Sequence, residues 1–327
     1  MHSGTIPLLD AGTAGPRRQR VGCHPLLLAA ALWALGGLLS EAIAALSCAP
    51  LGTESFPAGF DQYTESLLWE ITGNEDISPS FIFGTLHLDP AVAQQPSARV
   101  RAALERSTQF GAELNLESAE MAGLGAKMRL AAGQYLNDLL EPELFSRAVV
   151  LLASYGLTLD EVVRLKPWAA YTLLSVPPGA IAPVSLDAVL LARARQAHKP
   201  VFALETLAEQ LASLDHLPLA TEITLLREMV CHYALLQTEI SALIRDYAKG
   251  DFAAVVRTAG RHESEVEVML NARLLDDRNE RMVARLRVPL SRGGAFVAIG
   301  ALHLSGRKGV LARLAALGYR VRPLASH

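Results

Sequence analysis

The chain carries the octapeptide Phe81-Ile82-Phe83-Gly84-Thr85-Leu86-His87-Leu88, and a close copy, Phe296-Val297-Ala298-Ile299-Gly300-Ala301-Leu302-His303-Leu304, follows far downstream. Both are apolar runs that end in Gly-x-Leu-His-Leu, a pattern typical of a buried strand whose glycine allows close backbone approach. Because α/β folds place their sites at the carboxyl ends of strands, each run predicts a histidine at such an end. Two neighbouring strands of this kind would aim two imidazoles at one point.

The sequence around these runs predicts a sheet covered by helices. Strands are predicted over residues 66–71, 81–88, 109–116, 201–204, 295–300 and 319–321, with the first two forming a hairpin. Helices are predicted over 99–106, 185–198, 206–217, 218–246, 252–287 and 310–317, and the stretch 118–175 is mostly helical. This order predicts a helix-rich α/β (mixed α+β) fold, with a central mixed sheet surrounded by helices and a long helical insertion in the middle.

A third strand supplies a carboxylate for the two histidines. Residues 109–116 alternate, and Glu113 points away from the apolar face. One histidine after a strand is typical of a hydrogen-bonded structural residue, but its repetition favours a shared site. Two neutral imidazoles and a carboxylate form a ligand set for Zn, Mn, Co or Fe. His87, His303 and Glu113 are therefore candidate metal ligands, with Gly84 and Gly300 as the motif glycines.

The first residues resemble an export signal. Three arginines at positions 17, 18 and 20 precede an uncharged run over 26–39 and then small residues such as Ala42 and Ala44. We predict a signal peptide over residues 1–47, a linker over 48–64 and one domain over 65–325. The run is shorter than the ~20 residues that span a bilayer. The alternatives are a membrane anchor over 25–45 and lipidation at Cys48.

Charge and cysteine content narrow the possible partners and compartment. The 30 Lys and Arg residues against 33 Asp and Glu give a net charge of -3, which offers no basic surface for nucleic acid. We therefore expect an exported protein, periplasmic or extracellular, that contacts a membrane only through its N-terminal segment. A disulfide between Cys48 and Cys231 is permitted there, but the sequence does not indicate whether the two cysteines lie close together.

The two motifs resemble those of the TraB/PrgY/GumN family and, more distantly, of the Tiki metalloproteases. The resemblance covers about residues 67–321, and one departure is Ser185, where a glycine often precedes the Leu-Asp pair. Other pieces that match in order are Leu68-Trp69-Glu70-Ile71, the Glu113 strand, Leu165-Lys166-Pro167-Trp168, Ser185-Leu186-Asp187, Lys199-Pro200-Val201, Leu204-Glu205-Thr206, Gln210, Gly250-Asp251, Arg278-Asn279, and 306–318 with Tyr319.

The resemblance implies an exported metal-dependent hydrolase, with peptides or other small exported molecules as candidate substrates. It implies a divalent ion (Mn, Co or Zn) held by the two histidines and Glu113, with Glu205 or Glu117 as general base. Arg278, Asn279 and Asp187 are the candidate substrate-binding residues. Glu113, Glu205 and Arg278 are the candidate catalytic residues, with Arg278 able to clamp a substrate carboxylate or to stabilise a developing oxyanion. Taken alone, Arg278 and Asn279 lie on a charged stretch typical of a solvated helix face, and Glu205 is typical of a charge at a helix N-terminus.

Two other functions are compatible with the same residues. Conjugation-related members of the family imply a protein that binds a peptide signal without turnover. The erythromycin-esterase group is similar in using His and Glu, which implies ester hydrolysis without a metal.

Overall fold

The structure is a computed structural model that describes residues 46, 48–51, 60–73, 77–88, 91, 95–179, 185–261 and 264–325. Residues 46–327 form one compact unit. The predicted signal peptide lies outside the described residues except for Leu46, and the division into linker and domain at residue 64 stays a prediction. No helix of the described part is long and apolar enough to cross a membrane.

The centre of the fold is a mixed sheet, as predicted. Its strands in the described part of the chain are β1 (Leu68–Thr72), β2 (Ser80–Thr85), β3 (Gln109–Ala112), β4 (Val201–Ala203), β5 (Ala295–Gly300) and β6 (Arg320–Leu324), in the order β4-β3-β5-β2-β1-β6. Strands β4, β3, β5 and β2 run parallel, whereas β1 is antiparallel to both β2 and β6. The predicted hairpin of β1 and β2 is confirmed.

Parallel pairing explains why the inner strands are so apolar. Every residue of β2 and β5 is buried, because helices cover both faces of a parallel sheet. Strand β3 is shorter than predicted and ends at Ala112, so Glu113 lies immediately beyond its carboxyl end. The carboxyl ends of β2, β5 and β3 therefore meet at one edge of the sheet.

Helices make up most of the rest of the described chain, which confirms the helix-rich prediction. They are α1 (Ala98–Arg106), α2 (Leu124–Lys127), α3 (Leu136–Leu139), α4 (Pro142–Ala153), α5 (Leu159–Val162), α6 (Pro167–Leu174), α7 (Leu186–Gln196), α8 (Leu207–Asp215), α9 (Leu219–Cys231), α10 (Tyr233–Lys249), α11 (Phe252–Ala259), α12 (Glu265–Asn271), α13 (Asp277–Arg292) and α14 (Val310–Ala316).

The prediction of two long continuous helices is wrong. The one over 218–246 is interrupted at His232, between α9 and α10. The one over 252–287 is divided into α11, α12, a π-helical turn over Ala272–Asp276, and α13. Helix α12 begins at a capping box in which Ser264 and Glu267 bond each other's backbone, and this favours a new helix start.

The apolar residues form two main clusters. The first lies around the sheet and includes Phe110, Phe296 and Leu286. The second lies within the helical insertion and includes Leu144 and Trp168. A disulfide joins Cys48 to Cys231, which are 183 residues apart, and so attaches the segment after the predicted signal peptide to the end of α9.

Candidate active site

The two Gly-x-Leu-His segments leave the sheet side by side. Strands β2 and β5 pair in parallel with Thr85 opposite Gly300, so each histidine follows its strand at the same edge. The Nε2 atoms of His87 and His303 both lie 3.6 Å from one atom, Glu113 Oε1. The structure thus brings together the three residues predicted as metal ligands.

His87 is positioned by a buried carboxylate. Its Nδ1 lies 2.8 Å from Asp187 Oδ2, and the other oxygen of Asp187 accepts a hydrogen bond from Thr85 Oγ1 at 2.7 Å. Asp187 comes from the first turn of α7, where the Ser185 side chain caps the helix by accepting from the Ala188 amide. With Nδ1 donating to the carboxylate, the neutral ring has its lone pair on Nε2, which faces Glu113.

His303 has an equivalent support from an amide. Its Nδ1 lies 2.6 Å from Asn279 Oδ1, and Asn279 Nδ2 donates to the Lys308 carbonyl at 3.1 Å. The amide is therefore oriented to accept from the imidazole, which again leaves the lone pair on Nε2. Both Asp187 and Asn279, predicted as substrate-binding residues, hold the histidines from behind.

Glu113 is buried and bonded through both oxygens. Its Oε1 accepts from the Gly300 amide at 2.6 Å, and its Oε2 accepts from Arg278 Nη2 at 2.6 Å and from Gln210 Nε2 at 3.3 Å. Burial raises the pKa of this carboxyl, but its favourable interactions with the two imidazoles and with Arg278 outweigh burial and hold the pKa well below 4.5. Glu113 is therefore ionised at neutral pH.

Arg278 connects Glu113 to a second buried carboxylate. Its Nε lies 2.8 Å from Glu205 Oε2, and Arg281 Nη2 lies 3.1 Å from Glu205 Oε1. The Nη1 atom of Arg278 donates a hydrogen bond to the Leu274 carbonyl at 3.0 Å. Arg278 and Asn279 are buried, so the interpretation of this stretch as a solvated helix face is wrong.

The two histidines have opposite pKa shifts. Burial lowers the pKa of His303 to about 4, so this imidazole is neutral at neutral pH. The charge of Asp187 raises the pKa of His87 well above 6.5. The side chain of His87 is 54% exposed, whereas that of His303 is buried. His87 is therefore the imidazole that both solvent and a ligand can reach.

A cavity of about 250 Å³ opens beside these groups. Its polar lining comprises Thr85, His87, Glu113, Gln210, Arg278 and His303, and its apolar lining includes Leu86, Leu243, Val255, Leu274, Leu275 and Leu302. The wall is thus mostly aliphatic, as in many small-molecule sites.

Not every candidate residue reaches this cavity. Glu117 is paired with Arg195 at 2.9 Å and does not line it, and the side chain of Glu205 is fully buried beneath two arginines. Gln210 and Thr85 do line it, although sequence reasoning gave them no role at the site. The sequence contained a signal for each of them: Thr85 is within the first motif, and Gln210 follows the Glu205 segment.

As they are placed, the two histidines and Glu113 do not form a complete set of metal ligands. Within the described part of the chain, no three His, Cys, Asp or Glu side chains are already spaced as ligands of one ion. Glu113 Oε1 is also shared with the Gly300 amide.

A mixed sheet coated with helices, with two strand-end histidines facing a buried glutamate, defines a helix-rich α+β protein with a Gly-x-x-His cleft. The chain belongs to the TraB/PrgY/gumN family, whose model matches residues 67–323. This confirms the resemblance of the motifs. No curated protein and no solved structure matches the chain at a significant level.

Proposed function

We propose that this protein is an exported metal-dependent hydrolase that acts on peptides or other small exported molecules. The proposal is carried by one observation, the convergence of His87 Nε2, His303 Nε2 and Glu113 Oε1. Two imidazole nitrogens and a carboxylate oxygen that face one another are a donor set that divalent ions take in proteins. The likeness to Tiki metalloproteases and to erythromycin esterases stays a prediction.

The donor atoms suit a divalent ion in type, and the two separations that involve Glu113 Oε1 are near those of a ligand set. The 3.6 Å separations exceed a hydrogen bond. They are close to the about 3.4 Å that separates two ligands placed about 2.1 Å from a tetrahedral ion. Two imidazoles and a carboxylate suit Zn, Mn or Co, and support at Nδ1 is common among metal-bound histidines.

A divalent ion bound there would supply Lewis acidity and lower the pKa of water towards neutrality. The chain's own residues would hold the ligands in position and exclude water from the reacting bond. Asp187 and Asn279 fix the imidazole rings, Arg278 holds Glu113 ionised, and the aliphatic wall excludes solvent from the reacting bond. Since Glu117 and Glu205 do not line the cavity, and Glu113 and the two histidines would be ligands, the described lining offers no further carboxylate or imidazole as a general base.

The His87-Asp187 pair also supports a second candidate, hydrolysis without a metal. A half-exposed imidazole with a carboxylate 2.8 Å behind it has the arrangement of a general base and its orienting partner. In that case His87 would deprotonate water directly. A third function, capture of a peptide without turnover, needs only the cavity.

Metal analysis separates the three functions. The purified protein is loaded with Zn²⁺, Mn²⁺ or Co²⁺, desalted and analysed for metal content, alongside His87→Ala, His303→Ala and the control His216→Ala, an exposed histidine outside the cavity. We expect one ion per chain in the wild type and the control, and a large loss in the other two.

Absence of stoichiometric metal in the wild type would refute the metal-dependent function. Turnover of a peptide and ester panel by the metal-free protein, lost in Asp187→Asn, would then favour the general-base function. Stoichiometric metal without turnover of any panel member would favour peptide capture.

The proposed export is supported by the disulfide. Cys48 pairs with Cys231, and such bonds persist mainly outside the cytosol. A thiol that forms a disulfide is not available for a lipid thioether, which argues against the alternative of lipidation at Cys48.

A further inference from the structure

A second cavity, of about 310 Å³, adjoins the first and shares Leu275 and Leu302 with its lining. We propose that this cavity is a subsite for the C-terminal residue of a peptide, binding its carboxylate beside an apolar side chain. The inference rests on the proposed function, because it names the part of a substrate that would lie next to the histidines.

The second cavity is built from the same elements as the active site. The π-helical turn over Ala272–Asp276 lines both cavities and leads directly into the helix that carries Arg278 and Asn279. Asn279 lines the second cavity while its side chain joins His303 to the Lys308 carbonyl. The loop over 304–309 is thereby connected to one of the two histidines.

This loop is held in one conformation by its glycines. The Gly309 amide donates to the Gly306 carbonyl at 3.0 Å, and the Gly306 amide donates to the Gln62 carbonyl at 2.9 Å. A Cβ atom at Gly309 would collide with the backbone of Ser305. The second cavity therefore has a preformed backbone wall.

The loop also buries an unpaired hydroxyl. Ser305 lines the second cavity and is only 3% exposed, and its Oγ has no hydrogen-bond partner among the described residues. Leaving a buried hydroxyl unbonded costs about as much as losing a hydrogen bond, so such a group calls for an explanation. A polar ligand in the cavity would satisfy this hydroxyl once the Ser305 side chain turned towards it.

Charge and shape select a carboxylate with an apolar neighbour. Lys308 Nζ pairs with Asp276 at 2.8 Å, so these two lining charges offset each other. Arg307 is exposed, has no ion-pair partner within the described residues and leaves the lining with one net positive charge. The rest of the wall is apolar and includes Phe60, Val268, Leu275 and Leu302.

The test uses two probes of equal size that differ in charge, N-acetyl-leucine and N-acetyl-leucinamide. Each is titrated into methyl-labelled protein, and binding is followed at Val268, which lines only the second cavity, and at Val255, which lines only the first. We expect the acid to shift Val268 and to bind at least about tenfold more tightly than the amide, because a hydrogen bond to a charged group is strong.

Two variants then test whether Arg307 causes the preference for the acid over the amide. Arg307→Gln should reduce the preference for the acid to near one, whereas the control Arg292→Gln, an exposed arginine outside the lining, should retain it. Equal binding of acid and amide, no shift at Val268, or an unchanged preference in Arg307→Gln would overturn the subsite.

A further variant tests the hydroxyl. Ser305→Ala should weaken binding of the acid without lowering the melting temperature of the free protein. A lower melting temperature would show that the hydroxyl bonds within the fold, and would count against the subsite.

These measurements need neither metal nor turnover. If the wild type takes up no metal but keeps the acid preference at Val268, the proposed function fails and the subsite stands. If metal is taken up and no preference is seen, the subsite fails and the proposed function stands.

Discussion

Arg278 and Glu113 form an ion pair in which Nη2 lies 2.6 Å from Oε2, and both side chains are less than a tenth exposed. A pair of this kind is weak evidence of stability, because both charges lose their hydration on burial. Its effect is positional: the carboxylate is fixed with its other oxygen towards the two imidazoles. The pair therefore joins the stability of the fold to the geometry of the active site.

Breaking this pair should destabilise the protein. Glu113→Gln keeps the shape of the side chain but leaves Arg278 with Glu205 alone, so we expect a loss near the lower end of the range for a broken buried pair, about 3 kcal/mol in the free energy of unfolding. The control is Glu117→Gln, which removes an exposed pair with Arg195 and should cost less than about 1 kcal/mol. Urea denaturation of both variants measures the difference, and equal losses would contradict the prediction.

The stabilities of the wild type and of Glu113→Gln should also depend differently on pH. The pKa of Glu113 is lower in the folded protein than in the unfolded chain, so its contribution to stability is complete above the unfolded pKa of about 4.3 and is lost as the pH falls through the folded pKa. Below about pH 5, where His87 is protonated in both proteins, the difference in unfolding free energy between wild type and Glu113→Gln should shrink as the pH falls. A difference that grows on acidification would oppose this assignment.

The motif glycines should separate stability from metal binding. A Cβ at Gly300 would lie 3.1 Å from His87 Nε2 and 3.2 Å from Glu113 Oε1, so Gly300→Ala displaces the donor atoms and should weaken metal binding about 10–100-fold. A Cβ at Gly84 would lie 2.7 Å from Leu304 Cδ1 and should instead cost about 1–3 kcal/mol of stability by overpacking.

The control for both glycines is Gly123→Ala, where no atom lies within 4 Å of the new methyl group. It should change neither property. Metal content and thermal unfolding of the three variants make the comparison. The expectation fails if Gly300→Ala retains wild-type metal affinity.

The sheet and the centre of the site could be predicted because their determinants are local and repeated. Both strand-end histidines follow buried apolar runs, and the alternation around Glu113 predicts its side. Parallel pairing of β2 and β5 then makes the convergence unavoidable. The order of the helices was also largely predicted correctly, because the apolar spacing within each helix is a local pattern too.

What could not be predicted depends on contacts between distant residues. The spacing over 218–246 continues through His232, so nothing in that pattern marks the break, which lies next to the disulfide-bonded Cys231. The π-helical turn before Arg278 and the burial of that residue arise from its contacts with Glu113 and Glu205. The capping box of Ser264 and Glu267 was a local pattern that sequence reasoning missed.

The disulfide predicts a redox-dependent stability. It closes a loop of 183 residues, and its loss should lower the free energy of unfolding by about 2–5 kcal/mol. Urea denaturation with and without a reductant measures this in the wild type. The double variant Cys48→Ser/Cys231→Ser should match the reduced wild type and should not respond to reductant, whereas an unaffected wild type would argue against the bond.

The packing of Leu46 predicts where the signal peptide is cut. Two positions suit a signal peptidase, after Ala44 and after Ser47, and the first follows the Ala-x-Ala pattern of Ala42 and Ala44.

Leu46 is 8% exposed and belongs to the apolar cluster of the helical insertion. Cleavage after Ser47 would remove this side chain and leave its contacts empty, which for a buried leucine costs about 2–5 kcal/mol. We therefore expect the predicted signal peptide to end at Ala44 and not at Ser47, so that the mature chain begins at Ala45. The intact mass of protein recovered from the exported fraction decides between the two, and a mass that begins at Cys48, or that includes a lipid, would contradict this prediction.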